Sequence, residues 1–367
     1  MSTLDDWWEG FWGTIQHNRT ILPTHYPIPS NHTTKAAGQQ FRRDRHYFVV
    51  KVNRIFLQYD REFWTTYAPM ALVVSEFDYN EESTVLPFIV GPSLLEKDRI
   101  ELPNGFIFSD TRVAGIHPYK GGGLKLTVIL YRVKRTNLAT NLLKTIESVA
   151  SVLDFSQSLA MYLKIAGVLV ASVQTVIGSD PANQPLIGLR KEFYQDDGLA
   201  PGYFALIDSK NNKVDVEKLW INNNELLYGD SMQEAQAFTA ANYVLYSIGQ
   251  TADRDDYSKL AFYDQWKVAL AESFTKSPEK WESAKANWTA LCQMMQLSPD
   301  LIAPQGEALA DECFAQMERN HDKVKAKAGV MSANAGDDEI PDDVELRGIS
   351  DRLDNIRSKS VSVLHND

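Results

Sequence analysis

The chain has 367 residues, of which 44% are hydrophobic and 23% charged, and its 37 basic and 48 acidic side chains give a formal net charge of −11. This length exceeds what one small core can use, so about two or three domains are expected. The negative charge disfavours nucleic acid as a partner, because affinity for phosphates comes from basic side chains. The only cysteines, Cys292 and Cys313, exclude a disulfide framework and favour a reducing cytoplasm.

The first 16 residues form an aromatic N-terminal arm. Its large side chains share one helical face, and acids stand where a signal peptide has bases: the face carries Trp7, Trp8, Phe11 and Trp12. Two interpretations are open, a helix that docks a partner protein and an arm packed on its own protein. An interfacial membrane helix is less favoured, because its polar face would carry Lys or Arg.

Residues 17–45 follow as an extended connector, rich in His, Asn, Thr and Pro. It ends in a local basic patch formed by Arg42, Arg43 and Arg45, with aromatic residues directly after it. In an acidic chain this patch fits an acidic partner better than nucleic acid. The chain's own acidic tail is one candidate for that partner.

Residues 46–136 are predicted to form an antiparallel, β-sandwich-like domain. Six β-rich runs follow one another with no helix between them: 47–59, 70–79, 83–91, 105–110, 111–117 and 124–133. The three glycines at 121–123 do not match a phosphate loop, since a strand rather than a helix follows them. They are expected at a hairpin tip.

Residues 137–179 are predicted to form a hydrophobic helical hairpin. Its second helix, 158–177, is long enough to span a bilayer, but a central Lys164 makes insertion costly. One stripe of this helix is small or polar and suits close packing against another backbone: Ala160, Lys164, Gly167 and Ala171. Burial in the core is favoured over a self-assembly surface, and both over membrane insertion.

The second half is predicted to change from strands to helices. Residues 188–230 read as a β-hairpin region and residues 231–330 as mainly helical, with 242–249 as an exception. Three helices are expected, each opening with a capping residue: 256–274, 277–295 and 298–327. The last part, 331–367, is an acidic flexible tail that ends in a short amphipathic helix carrying Leu346, Ile349, Leu353 and Ile356.

No linear motif names a reaction. The seven histidines do not pair at metal-ligand spacing, and no nucleophile elbow occurs, so neither a catalytic residue nor a metal or cofactor site is predicted. His117 and Asp110 form only a weak candidate for a base and its orienting acid.

The sequence therefore predicts an α+β protein that acts as a non-enzymatic assembly or adaptor subunit and docks protein partners through its terminal segments. Self-association through the stripe of helix 158–177 is left open. A membrane-active effector that exposes residues 138–178, or an enzyme of unrecognised type, are the alternatives.

Overall fold

The structure, a computed structural model, describes residues 6, 8–13, 24–34, 38–62, 64–79, 81–91, 106–134, 159, 175, 184–194, 199–208 and 214–334. The strands within these residues are β1 (Thr24–Pro27), β2 (Tyr47–Phe56), β3 (Arg61–Glu62), β4 (Thr65–Tyr79), β5 (Glu82–Val90), β6 (Phe106–Pro118), β7 (Leu124–Lys134), β8 (Gln184–Phe193), β9 (Gly202–Ile207), β10 (Leu219–Asn222), β11 (Glu225–Tyr228), β12 (Gln236–Ala237) and β13 (Tyr243–Thr251). The longer helices are α1 (Tyr263–Ser273), α2 (Pro278–Gln296) and α3 (Ala303–Asn334).

The strands form three antiparallel sheets. The first sheet has the order β1-β9-β13-β2-β6, and the second has β4 paired with β3, β5 and β7, with β8 beside β7. A small sheet contains β10, β11 and β12. The predicted α+β class, with antiparallel sheets and a helical C-terminal region, is confirmed.

The largest buried cluster takes residues from both large sheets. Val50 and Val52 of β2 belong to it together with Leu72 and Val74 of β4, and all four are inaccessible to solvent. Along β4, burial is continuous from Tyr67 to Phe77 rather than alternating. A strand that is rich in β-branched and aromatic residues and buried on both faces gives this pattern.

In the first sheet, successive residues of β13 join different buried clusters, so the two faces of the sheet have different surroundings. On β13, Val244 and Tyr246 enter the large cluster, whereas Tyr243 and Leu245 enter a second cluster with Leu219 and Ile221 of the small sheet. The small sheet therefore covers one end of the outer face of the first sheet. Further along β13, Ser247 and Gly249 on that same face are only partly buried.

The three helices pack around a third buried cluster. Their first residues show which of the predicted capping residues begin a helix. Helix α2 begins as expected: Pro278 occupies the first turn, and Ser277 Oγ accepts a hydrogen bond from the Lys280 amide. Helix α1 begins later than predicted, at Tyr263, because Asp256 binds Arg254 and a short 3-10 turn follows it. Helix α3 begins at Ala303, since Ser298 Oγ accepts from the Asp300 amide.

Two further expectations are corrected. Within 188–230, only β10 and β11 form a local hairpin, while β8 and β9 belong to different large sheets. The glycines at 121–123 do not close a hairpin, because β6 pairs with β2 and β7 pairs with β4. The turn instead leads from one large sheet to the other.

The central hydrophobic segment, 137–179, lies outside the described residues apart from Leu159 and Thr175. Leu159 is helical and buried in the large cluster, and Thr175 is helical and exposed. No helix within the described ranges combines the length and the apolarity that a membrane crossing requires. The boundaries of the proposed domains stay predictions.

Candidate functional site

A groove lies on the outer face of the first sheet, beside the end that the small sheet covers. Its volume is about 370 Å³, and we call it the sheet-face groove. Central strands supply one part of its lining, and Ile28, Ser30, Thr33, Gly38 and residues 201–203 supply the rest. The strand residues that matter below are Val49, Lys51, Asn53, Ser247 and Gly249.

A polar network joins the groove to strand β6. Asn53 Nδ2 donates to Asp110 Oδ1 across 3.0 Å, and Lys51 Nζ lies 3.2 Å from Asp110 Oδ2. Asn53 is 3% exposed, whereas Lys51 and Asp110 are partly open to solvent. The carboxylate therefore neutralises the lysine, which is the only charged residue among the described residues that line the groove.

Register on the first sheet brings the small residues of β13 next to this network. Ser247 pairs with Lys51, and Gly249 pairs with Val49. The Ser247 hydroxyl has no hydrogen-bond partner among the described residues, although the residue is partly buried. The groove thus presents a hydroxyl, an ammonium group and an amide side by side.

A second polar cluster is buried where the helices meet the sheets. Tyr47 Oη donates to Gln305 Oε1 across 2.5 Å and accepts from the Ile302 amide across 3.0 Å. Arg254 Nε donates to Asp256 Oδ1 (2.6 Å), and its Nη1 donates to the main-chain oxygen of Asp300 (2.9 Å). Burial raises the pKa of Tyr47 well above its ordinary value. Tyr47 therefore stays neutral, and its hydroxyl links strand β2 to the start of α3 through hydrogen bonds.

An exposed aromatic pair flanks the short β3–β4 hairpin. Trp64 is 93% exposed and Tyr59 is 69% exposed, although nearly all other large aromatic side chains of the described residues are at least half buried. Large exposed rings are uncommon on a free surface and frequent at the centres of protein interfaces. We call these two residues the aromatic tip.

The predicted N-terminal docking residues pack on their own protein. Trp8 is fully buried and Trp12 is 7% exposed, both in the large cluster, with Phe11 packed against them. Trp8 Nε1 donates to Glu76 Oε1 across 3.1 Å, and Arg190 bridges Glu76 and Glu9. This is the packed arm, the second of the two interpretations. Trp7 lies outside the described residues.

The other predicted sites are only partly visible. The self-assembly stripe (Ala160, Lys164, Gly167 and Ala171) and the C-terminal helix residues (Leu346, Ile349, Leu353 and Ile356) lie outside the described residues. The basic patch is in view: Arg42, Arg43 and Arg45 are all exposed. Asp44 reduces its charge, since its carboxylate lies 3.6 Å from Arg43 Nε and 2.6 Å from Lys120 Nζ.

The weak pairing of His117 with Asp110 does not form. Asp110 binds Lys51 and Asn53, whereas His117 is buried between Phe77 and Phe48, and neither of its ring nitrogens has a partner among the described residues. Burial, together with smaller contributions from the charges of Arg254 and Arg112, lowers the pKa of His117 to about 3. Within the described residues, no group of three or more His, Cys, Asp or Glu side chains could hold a metal ion.

The comparisons with known proteins add no relative. No protein-family model matches the chain, and no curated protein and no solved structure is significantly similar to it. The function must therefore be inferred from the geometry. Sequence reasoning missed both the sheet-face groove and the aromatic tip. The hydrophilic Lys51 and Asn53 inside a β-rich run were the only local signal for the groove.

Proposed function

We propose that this protein is a non-enzymatic assembly or adaptor subunit that docks a partner protein through the aromatic tip. The observation that carries this proposal is the 93% exposure of Trp64. Tryptophan combines a large apolar area with few rotatable bonds, so its burial in a partner's pocket gains more than it costs in side-chain entropy. A ring left in water gains nothing from this capacity.

The surroundings of the tip favour a protein over a lipid surface. Glu62 lies in the same hairpin and forms an ion pair with Arg132 (3.0 Å), and Asp60 is close by in sequence. Interfacial membrane segments instead surround their aromatic residues with an excess of basic ones. A ring of mixed charges around an aromatic centre is the ordinary anatomy of a protein interface.

Four further parts of the sequence-based prediction belong to this proposal: the β-sandwich arrangement, the cytoplasmic location, the C-terminal docking segment and self-association. The two large sheets are inferred to pack face to face as a β-sandwich, supported by the single buried cluster to which both contribute. A cytoplasmic setting is supported by two free thiols, at Cys292 and Cys313. The C-terminal residues Leu346, Ile349, Leu353 and Ile356 stay a proposed second docking segment, and self-association stays a proposed use of the stripe around Gly167.

Affinity capture from the native host, with wild type and Trp64→Ala compared by quantitative mass spectrometry, tests the proposal. We expect defined proteins that wild type retains and the variant loses. The matched control is Trp220→Phe, a partly buried tryptophan whose Nε1 donates to the Gly229 carbonyl oxygen. This control should retain the same proteins. Identical capture by wild type and Trp64→Ala would remove the aromatic tip from the proposal.

Flotation with liposomes separates the membrane alternative. An adaptor should stay at the bottom of the gradient with neutral and with anionic vesicles. If wild type floats and Trp64→Ala does not, the tip contacts lipid, and the adaptor proposal is wrong for this surface.

A further inference from the structure

Gly249, in the middle of the outer face of the first sheet, has no role that the fold explains. It lies on β13 and pairs with Val49 of β2, one residue beyond the last pair of β13 with β9, and glycine within a strand is less favourable for stability than alanine. Its backbone does not require a positive φ, and a Cβ placed there would meet Val49 O at 3.7 Å and Val49 Cβ at 4.0 Å. Both are ordinary contact distances, so alanine would fit.

Gly115 shows what a structurally required glycine in this sheet looks like. Its φ is +93°, and a Cβ there would collide with the carbonyl oxygen of Phe48. Gly249 shares neither feature. One reason for a strand glycine, besides a bulge or a tight bend, is that a ligand or another backbone approaches the strand closely. At Gly249 that space is part of the sheet-face groove.

We propose that the sheet-face groove binds a small uncharged ligand with several hydroxyl groups, of the size of a mono- or disaccharide. The volume of about 370 Å³ lies in the lower part of the range of small-molecule pockets, about 300–1,000 Å³. A groove of this size admits one or two rings placed against Gly249.

The polar groups fit hydroxyls better than ions. Asp110 neutralises Lys51, so the described residues of the groove offer no uncompensated charge to an anion or a cation. The ammonium group of Lys51 and the hydroxyl of Ser247 can donate, while the Asp110 oxygens retain lone pairs beyond those used by Lys51 and Asn53. Adjacent hydroxyls, each both donor and acceptor, satisfy such a mixed set.

The apolar part of the lining fits the same class of ligand. Ile28, Val49, Pro201 and Tyr203 lie among the polar groups. A sugar ring has an apolar face of C–H groups and a rim of hydroxyls, so one ring can contact both kinds of surface. A fully apolar ligand would leave Asn53 Oδ1 and the Ser247 hydroxyl without partners, which is costly in a partly dehydrated groove.

Saturation-transfer NMR on the full chain tests this proposal, with glucose, galactose, mannose, N-acetylglucosamine and maltose as the probes at millimolar concentration. We expect transfer to at least one of them with wild type. Gly249→Val should abolish it, because the added methyl groups fill the groove. Valine suits a central strand, so the melting temperature of this variant should be unchanged or higher.

Asp110→Asn tests the polar network, and Glu192→Gln is its matched control. Both carboxylates pair with a partly exposed lysine at nearly the same distance, 3.2 Å for Lys51 and 3.3 Å for Lys125. Asparagine also tolerates the positive φ of Asp110, so the backbone should be preserved. We expect Asp110→Asn to weaken binding about tenfold and Glu192→Gln to leave it unchanged.

Each of three results overturns the proposal. The first is the absence of saturation transfer from wild type to any of the five sugars. The second is binding that persists in Gly249→Val. The third is a loss of stability in Gly249→Val as strong as that in Gly115→Ala, which would make Gly249 a structural glycine.

Discussion

Tyr79 on β4 donates a hydrogen bond from its Oη to Asp300 Oδ1 across 3.1 Å, although 221 positions separate the two residues in sequence. The bond joins the second sheet to the turn before α3. Arg254 Nη1 also donates to the main-chain oxygen of Asp300. One buried acid thus connects the second sheet and the helical region.

Asp300 should make stability fall as the pH rises. Burial raises its pKa, and the positive charge of Arg254 opposes that shift only in part. Between the unfolded pKa of about 3.9 and the raised folded pKa, the native state binds more protons than the unfolded state. The contribution of this group is therefore fully present below the unfolded pKa and lost above the folded one. Urea denaturation over a pH series measures it.

Asp300→Asn removes the titration and keeps an oxygen that can accept from Tyr79. The free energy of unfolding of this variant, relative to that of wild type, should therefore be higher near neutral pH than in acid. Asp264→Asn, at an exposed position of α1 beside Lys267, is the control that should not change the pH profile in this way. A stability difference between wild type and Asp300→Asn that is the same at every pH would contradict the assignment.

His117 should have the opposite effect. Its folded pKa is about 3, below the unfolded value of about 6.5, so the unfolded state binds more protons between these values. The free energy of unfolding then decreases as the pH falls from about 6.5 towards 3. The decrease is about 1.4 kcal/mol for each pH unit between the two pKa values.

His117→Phe should remove this acid sensitivity at little cost at neutral pH. Neither ring nitrogen has a partner among the described residues, and the ring stacks on Phe77 at a centroid distance of 5.0 Å. Phenylalanine can therefore fill the same space without a polar atom to desolvate. The free energies of unfolding at about pH 7 and about pH 5 measure the effect. A variant as acid-sensitive as wild type would show that other groups cause the transition.

The sequence predicts what depends on neighbours along the chain. Runs of β-branched and aromatic residues place β2 and β7 within three residues of their observed bounds, although β4 begins five residues before its predicted run, and Ser277 with Pro278 defines the start of α2. Pairing over long distances in sequence is not visible in such patterns. The groove exists because Val49 lies opposite Gly249, and the assignment of β8 and β9 to different sheets likewise depends on partners far away.

The same limit applies to burial. The local sequence does not distinguish Trp8 from Trp64 in burial, since each is a tryptophan with acidic residues nearby in the chain. What separates them is whether Glu76 and Arg190 of distant strands lie beside the ring. The helical spacing of the N-terminal aromatic residues indicates an apolar face, but it cannot indicate what covers that face.

Removal of the Trp8 side chain should detach the N-terminal arm. Trp8 is fully buried, so Trp8→Ala leaves a large cavity and an unpartnered Glu76 oxygen, and we expect a loss of about 3–5 kcal/mol. Limited proteolysis should then cut the first residues earlier than in wild type. Trp64→Ala, the same change at an exposed position, should alter stability by no more than about 0.5 kcal/mol. Equal losses in the two variants would contradict the packed arm.

The ion pair of Arg54 with Glu225 should contribute more to stability than the exposed ion pair of Lys125 with Glu192. Arg54 on β2 is 1% exposed and pairs with Glu225 on β11, which attaches the small sheet to the first. Glu225→Gln removes the charge that compensates the buried guanidinium of Arg54. Because Glu225 is about one third exposed, we expect a loss of stability of about 2 kcal/mol, which is less than for a fully buried pair. Glu192→Gln breaks the exposed pair with Lys125 and should cost less than about 1 kcal/mol. Chemical denaturation of both variants compares them, and equal losses would mean that water, rather than Glu225, compensates the charge of Arg54.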